Sequence, residues 1–86
     1  DAIIDRNHIL EPQKIFKEIY SKGLDDKDMY KIFNCGIGFI FSVSENESEK
    51  CLEEIKEFKA AKIGRITAGE NKIKLESMFS DKIIEY

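Results

Sequence analysis

The feature that most constrains this chain is the abrupt change of period at residues 33–43. Met29, Tyr30 and Phe33 have helical spacing, and Asn34-Cys35-Gly36-Ile37-Gly38 follows without a linker. Then Ile37, Phe39, Phe41 and Val43 alternate at the period of a strand, with Ile40 adding apolar character to the other side. A helix must therefore stop, turn through an Asn/Gly loop and enter an apolar strand within about five residues. Glycine permits positive φ and close backbone approach, and Asn tolerates left-handed torsions while offering both donors and acceptors. Such a loop either simply ends a helix or presents backbone N–H groups to a polar ligand; a lone GxG spacing favours the first.

The rest of the chain supplies partners for that strand. Ala2-Ile3-Ile4 is a short β-branched edge or joining strand. Pro12 stands at the first position of a helix carrying Ile15, Phe16 and Ile19 on one face, with Gly23 as its left-handed terminator. Asp25 is placed to cap the second helix, with Asp26 and Asp28 in its positive first turn. Ser44 and Glu47 have capping-box spacing, with Asn46 or Ser48 as alternative caps, before a helix striped by Cys51, Leu52, Ile55 and Phe58. Residues 62–67 and 72–76 read as a hairpin about the turn 68–71, and Ile83-Ile84 as a further short strand. The expected fold is α+β: a mixed, mainly antiparallel sheet with helices packed on one face, formed by residues 1–86 as a single unit.

Composition narrows the function. With 86 residues only one small domain is available, and it buries about 60–65 % of its unfolded surface. Hydrophobic residues at 42 % are too many, and too well patterned, for a disordered segment. A net charge of −3, with 14 basic and 17 acidic residues interleaved, leaves no basic stripe for nucleic acid. No apolar run approaches the length of a membrane span, and the N-terminus carries no secretory pattern, so a cytoplasmic protein is expected. Cys35 and Cys51 form no CxxC pair and one His completes no zinc set, so two buried free thiols are expected, with a single disulfide as the alternative. The start at Asp1, without Met, reads as the interior of a longer protein.

Few residues invite a chemical role. His8 is alone in a polar loop and reads as a solvated side chain. Asp25-Asp26-Lys27-Asp28 reads as helix capping in preference to a cation site. No Walker-type loop, carboxylate cluster for Mg²⁺ or general base is visible, so no catalytic and no metal-binding residue is expected.

Residues 28–38, Asp-Met-Tyr-Lys-Ile-Phe-Asn-Cys-Gly-Ile-Gly, resemble the signature of the aminoimidazole ribonucleotide (AIR) synthase family, usually E-M-Y-R-T-F-N-x-G-[IV]-G. The surroundings agree over roughly residues 1–75: Ala2-Ile3-Ile4-Asp5, the proline-led segment 12–16, Ser44-Glu45-Asn46-Glu47, and Lys62-Ile63-Gly64-Arg65-Ile66, similar to W-x-I-G-x-[IV]. Lys31 and Ile32 depart from the usual Arg and Thr, and Lys lacks the planar fork that grips a phosphate twice. The tail beyond Leu75 follows no family pattern. The resemblance implies an ATP- and Mg²⁺-dependent ring closure of formylglycinamidine ribonucleotide to aminoimidazole ribonucleotide, in which ATP activates the formyl oxygen and the amidine nitrogen displaces it as phosphate. It implies that Phe33, Asn34, Gly36 and Gly38 belong to a substrate-side loop. It also implies that the ATP-binding portion lies upstream as the missing partner, that the complete enzyme is a homodimer, and that this segment alone binds no cofactor and is inactive. The competing expectation is a stand-alone binding or self-association module that keeps the fold without catalysis.

Overall fold

A computed structural model describes all residues 1–86. The element order is β1 (Ala2–Ile4), α1 (Lys14–Ser21), α2 (Asp26–Ile32), a 3-10 turn (Glu45–Glu47), α3 (Ser48–Glu54), β2 (Gly64–Ile66), β3 (Ile73–Glu76) and β4 (Ile83–Glu85). The four strands form one mixed sheet in the order β2-β1-β3-β4, in which only the β1–β3 pair is parallel. The fold is α+β, as the periodicity predicts.

Strand register sorts the side chains by chemistry. Ala2 pairs with Ile66 and Ile73, Ile4 with Gly64 and Leu75, and Leu75 with Ile84, so these residues share one face. The opposite face carries Ile3, Arg65, Lys74 and Glu85, with Lys74 directly across from Glu85. α2 lies on the apolar side, where Tyr30 shares a groove with Ile4 and Leu75. There the Tyr86 hydroxyl donates to the Lys27 carbonyl at 2.7 Å, tying the sheet's last strand to α2.

The expected hairpin of 62–67 with 72–76 is not formed, because β1 lies between its two arms. Asp1 explains the spacing. Its nitrogen donates to the Thr67 carbonyl at 2.6 Å, and its carboxylate accepts the N–H groups of Glu70 at 2.8 Å and Lys72 at 3.1 Å. The connection 67–72 is thus wrapped around a side chain from β1, and its ends stand two strand spacings apart. β1 is consequently an interior strand that joins β2 to β3, the second of the two places, edge or joining, expected for it. It leaves no room beside Gly64, where a Cβ would overlap the Ile3 carbonyl.

Local signals account for the helix ends. Gly23 adopts φ 109° and donates to the Tyr20 carbonyl at 3.1 Å, closing α1. The Asp25 carboxylate accepts the Asp28 N–H at 2.8 Å, the cap expected for α2. Three local expectations fail. Pro12 is buried and precedes the cap residue Gln13, so α1 begins at Lys14. Ser44 makes no side-chain cap. α3 stops at Glu54, leaving Phe58 beyond the helix and 66 % exposed.

The largest departure is at residues 37–43, which pair with nothing. No backbone group from Gly38 to Val43 finds a backbone partner, and Phe39 is 81 % exposed. The rings of Phe39 and Phe41 still meet at 5.9 Å, as side chains two apart on an extended chain do. The sequence alternation is that of a strand, but a ladder needs a neighbour, and residues 38–43 pair with none of the four strands.

The core is correspondingly thin. Only six of 86 residues are buried, and Met29, Cys35 and Ile84 are the apolar ones among them with the least exposure. The chain exposes 6572 Å², whereas a closed monomer of this mass would expose about 5200 Å². Its radius of gyration, 13.8 Å, likewise exceeds the roughly 12 Å of a closed domain of this length.

Candidate functional site: an apolar groove beside the Asn34 loop

α2 delivers its last residue directly into the loop. The Phe33 N–H donates to the Met29 carbonyl at 3.0 Å, and Phe33 itself is extended at φ −119°, ψ 155°. The Asn34 side chain then turns back on the chain: its Oδ1 accepts the Gly36 N–H at 2.8 Å, while its carbonyl accepts the Ile37 N–H at 3.1 Å. Cys35 and Gly36 adopt φ 51° and 95°. Gly36 is required by its torsion; the Gln13 side-chain amide that a Cβ would meet is the end of a flexible, exposed side chain and can move aside. A Cβ on Gly38 would meet nothing within 4 Å.

Between this loop and the apolar sheet face lies a groove of about 500 Å³. Phe33 and Asn34 line it from the loop, Ile4 and Leu75 from the sheet, and Met78 and Tyr86 from the tail. Gly36 and Gly38 are not in its wall, so the structure brings two of the four sequence-derived loop residues to the groove. His8 also lines it. The ring is half-buried, and its Nδ1 accepts the Leu10 N–H at 3.1 Å, so this His is part of a turn as well as a surface. No group of three His, Cys, Asp or Glu side chains is placed to hold a metal ion.

Cys35 packs under the loop with its thiol against the Met29 carbonyl at 3.6 Å. Burial pushes this thiol up to about 11, which removes nearly all thiolate at neutral pH. Cys51 is only half-buried, a correction to the expectation of two buried thiols, and both are free. Reaction with a thiol reagent at pH 7.5 is therefore expected to label Cys51 at least a hundredfold faster than Cys35, measured by time-resolved mass spectrometry. Equal rates would contradict the sealed position of Cys35.

Reading the sequence locally missed the polar centre behind the loop. Asp26, 2 % exposed, lies at the start of α2, and its carboxylate accepts three hydroxyls. Ser77 Oγ and Ser80 Oγ (2.7 Å) donate to Oδ2, and Tyr20 OH donates to Oδ1 at 3.1 Å. Burial by itself would raise this carboxyl, but the hydrogen bonds from Ser77, Ser80 and Tyr20 outweigh it and hold it below its ordinary value. Tyr20 is correspondingly raised, chiefly by its bond to Asp26. Asp26 looks like a second capping residue beside Asp25; only its partners, 51 and 54 residues away, reveal the difference.

The site is thus a groove in an α+β layer, lined from one side by the Asn34 loop. The family profile described as AIR synthase related protein, C-terminal domain, matches residues 1–76, and the chain belongs to that family. It is similar to the phosphoribosylformylglycinamidine cyclo-ligase of Methanobrevibacter smithii, 43 % identical over 61 residues, covering 70 % of this chain and 18 % of that protein. The enzyme of the same name from Clostridium tetani is 39 % identical over 75 residues, covering 85 % of this chain and 22 % of that protein. The corresponding protein of Methanothermobacter thermautotrophicus is 33 % identical over 73 residues, covering 85 % and 21 %. The chain thus spans about a fifth of the length of the curated relatives it matches. No solved structure matches it at a significant level.

Proposed function

We propose that residues 1–86 are a single unit, the C-terminal segment of a cytoplasmic cyclo-ligase that closes formylglycinamidine ribonucleotide to aminoimidazole ribonucleotide with ATP and Mg²⁺, and that this segment supplies the substrate side of the site. The observation that carries the reading is the Asn34 loop at the mouth of an apolar groove, in a chain whose relatives bear that activity in their names. Phe33 and Asn34 face the ligand, while Gly36 and Gly38 shape the backbone between the helix and the extended segment.

The residues present do not fit a magnesium–nucleotide: no three acidic, His or Cys side chains converge, so the nucleotide site belongs to the upstream portion. That portion is also the natural cover for Phe39, Ile40, Phe41 and Val43, which are 81, 59, 51 and 43 % exposed. A bare sheet edge or strand of this kind accepts a neighbouring strand readily. The complete enzyme pairs as a homodimer through the upstream portion, and the 86-residue segment alone has no turnover.

Asn34→Ala tests the site. In the complete enzyme it removes both the cap on Gly36 and a polar group at the groove, and kcat/KM is expected to fall at least tenfold while the melting temperature drops by only a few degrees. Unchanged turnover with lowered stability would make the loop purely architectural and return the binding-module reading.

A further inference from the structure

We propose that residues 77–86, which lie beyond the family match, are a strap that fixes α2 and through it the Phe33–Ile37 loop, with Asp26 as the positioning residue that anchors the strap. The inference rests on the assignment of that loop to the substrate side.

The strap is held at both ends and along its length. At its start Ser77 is fully buried, and its hydroxyl, with that of Ser80, reaches the Asp26 carboxylate. The Met78 N–H donates to the Tyr30 hydroxyl at 2.7 Å. The Phe79 ring stacks on Tyr20 at 4.9 Å and leans on Tyr30 at 5.6 Å, closing the gap between α1 and α2. Arg6 clasps the turn from the other side, donating to the carbonyls of Ser77 at 2.9 Å and Lys82 at 3.1 Å. At its end β4 pairs with β3, the Tyr86 N–H donates to Ile73, and the Tyr86 hydroxyl reaches Lys27.

The strap's hydrogen bonds and ring contacts to α2 fall on residues 26, 27 and 30. Asp26, Tyr30 and Phe33 are spaced i, i+4 and i+7, so the gripped face is the one that runs into the loop. Met29, fully buried beside it, accepts both the Phe33 N–H and the Cys35 thiol. Two strap residues, Met78 and Tyr86, line the same groove as Phe33 and Asn34. A loosened strap would therefore move one wall of the groove relative to the other without touching the loop itself. Binding of the substrate, more than the chemical step, should register that movement.

The test uses the complete protein with Ser77→Ala/Ser80→Ala, read by amide hydrogen exchange and by steady-state kinetics with formylglycinamidine ribonucleotide. Ser80→Ala alone removes one half-buried donor and serves if the double variant does not fold. Protection of Phe33, Gly36 and Ile37 is expected to fall about tenfold together with that of Met78 and Tyr86, while Asp5 and Thr67 on the β1–β2 side keep theirs. KM is expected to rise three- to tenfold with kcat within twofold, a split that simple loss of folded protein does not produce. Loss of protection confined to residues 77–86 would overturn the proposal. If Asn34→Ala lowers turnover but the strap variant changes neither exchange nor KM, the strap has no positioning role and the substrate-side reading stands. If exchange is coupled while neither variant affects kinetics, the strap stands as a mechanical element and the substrate-side reading falls.

Discussion

Asp26→Ala is expected to destabilise the protein by about 2–4 kcal/mol, read as a lower urea midpoint at constant slope. The substitution deletes the common acceptor of Ser77, Ser80 and Tyr20 and leaves a fully buried serine hydroxyl without its partner. Against the roughly 5–15 kcal/mol that a small domain has in total, the loss is severe. The same site gives an acid signature. The Asp26 carboxyl is lower in the folded protein than in the unfolded chain, where it titrates at about 3.9. Its stabilising contribution is therefore complete above that value and disappears as pH falls through the lower, folded value. Lys82 and the hydroxyls of Tyr20, Ser77 and Ser80 face this carboxylate and act in the same direction on it. Wild type should lose stability steeply below about pH 4 and Asp26→Ala more gently, so parallel curves would remove Asp26 from the explanation.

The second large effect concerns the unpaired segment. Four apolar side chains between Phe39 and Val43 are exposed, and no backbone partner holds the segment. Burying each would contribute about 2 kcal/mol, enough to drive association when the upstream portion is absent. The isolated 86-residue chain is expected to self-associate in sedimentation velocity at tens of micromolar, and Phe39→Lys/Phe41→Lys to return it to a monomer. In the full-length enzyme proposed above, where the upstream portion would cover this segment, the same pair should do the opposite and cost solubility and turnover, because two charges would then be forced into an interior. A wild-type segment that stays monomeric, together with a complete enzyme that tolerates both lysines, would show that nothing covers residues 39–43.

The two expectations draw on different ends of one argument about completeness. Asp26 ties the tail to α2 through the hydroxyls of Ser77 and Ser80. Residues 38–43 have no such tie, and Phe39, Ile40, Phe41 and Val43 are all exposed.

Local chemistry alone determined a good deal of this protein. Gly23 after an apolar stripe ends α1, Asp25 three residues before Asp28 starts α2, and the alternation Ile73-Lys74-Leu75-Glu76 sets a strand with one apolar face. The run Met29 to Gly38 carries the family resemblance by its residues, and Asn34 forms the turn that its side chain favours. These features act within about ten residues, where torsional preference and periodicity suffice. Strand order, the fate of residues 37–43 and the role of Asp26 were decided only in the folded chain. β1 enters between β2 and β3 because Asp1 satisfies N–H groups 69 and 71 residues away. The apolar segment stays unpaired because a strand is a relation between two stretches of backbone, and periodicity describes only one of them. Asp26 separates from its neighbour Asp25 because two serines some fifty residues later turn towards it, and a contact over that distance leaves no local mark in the sequence.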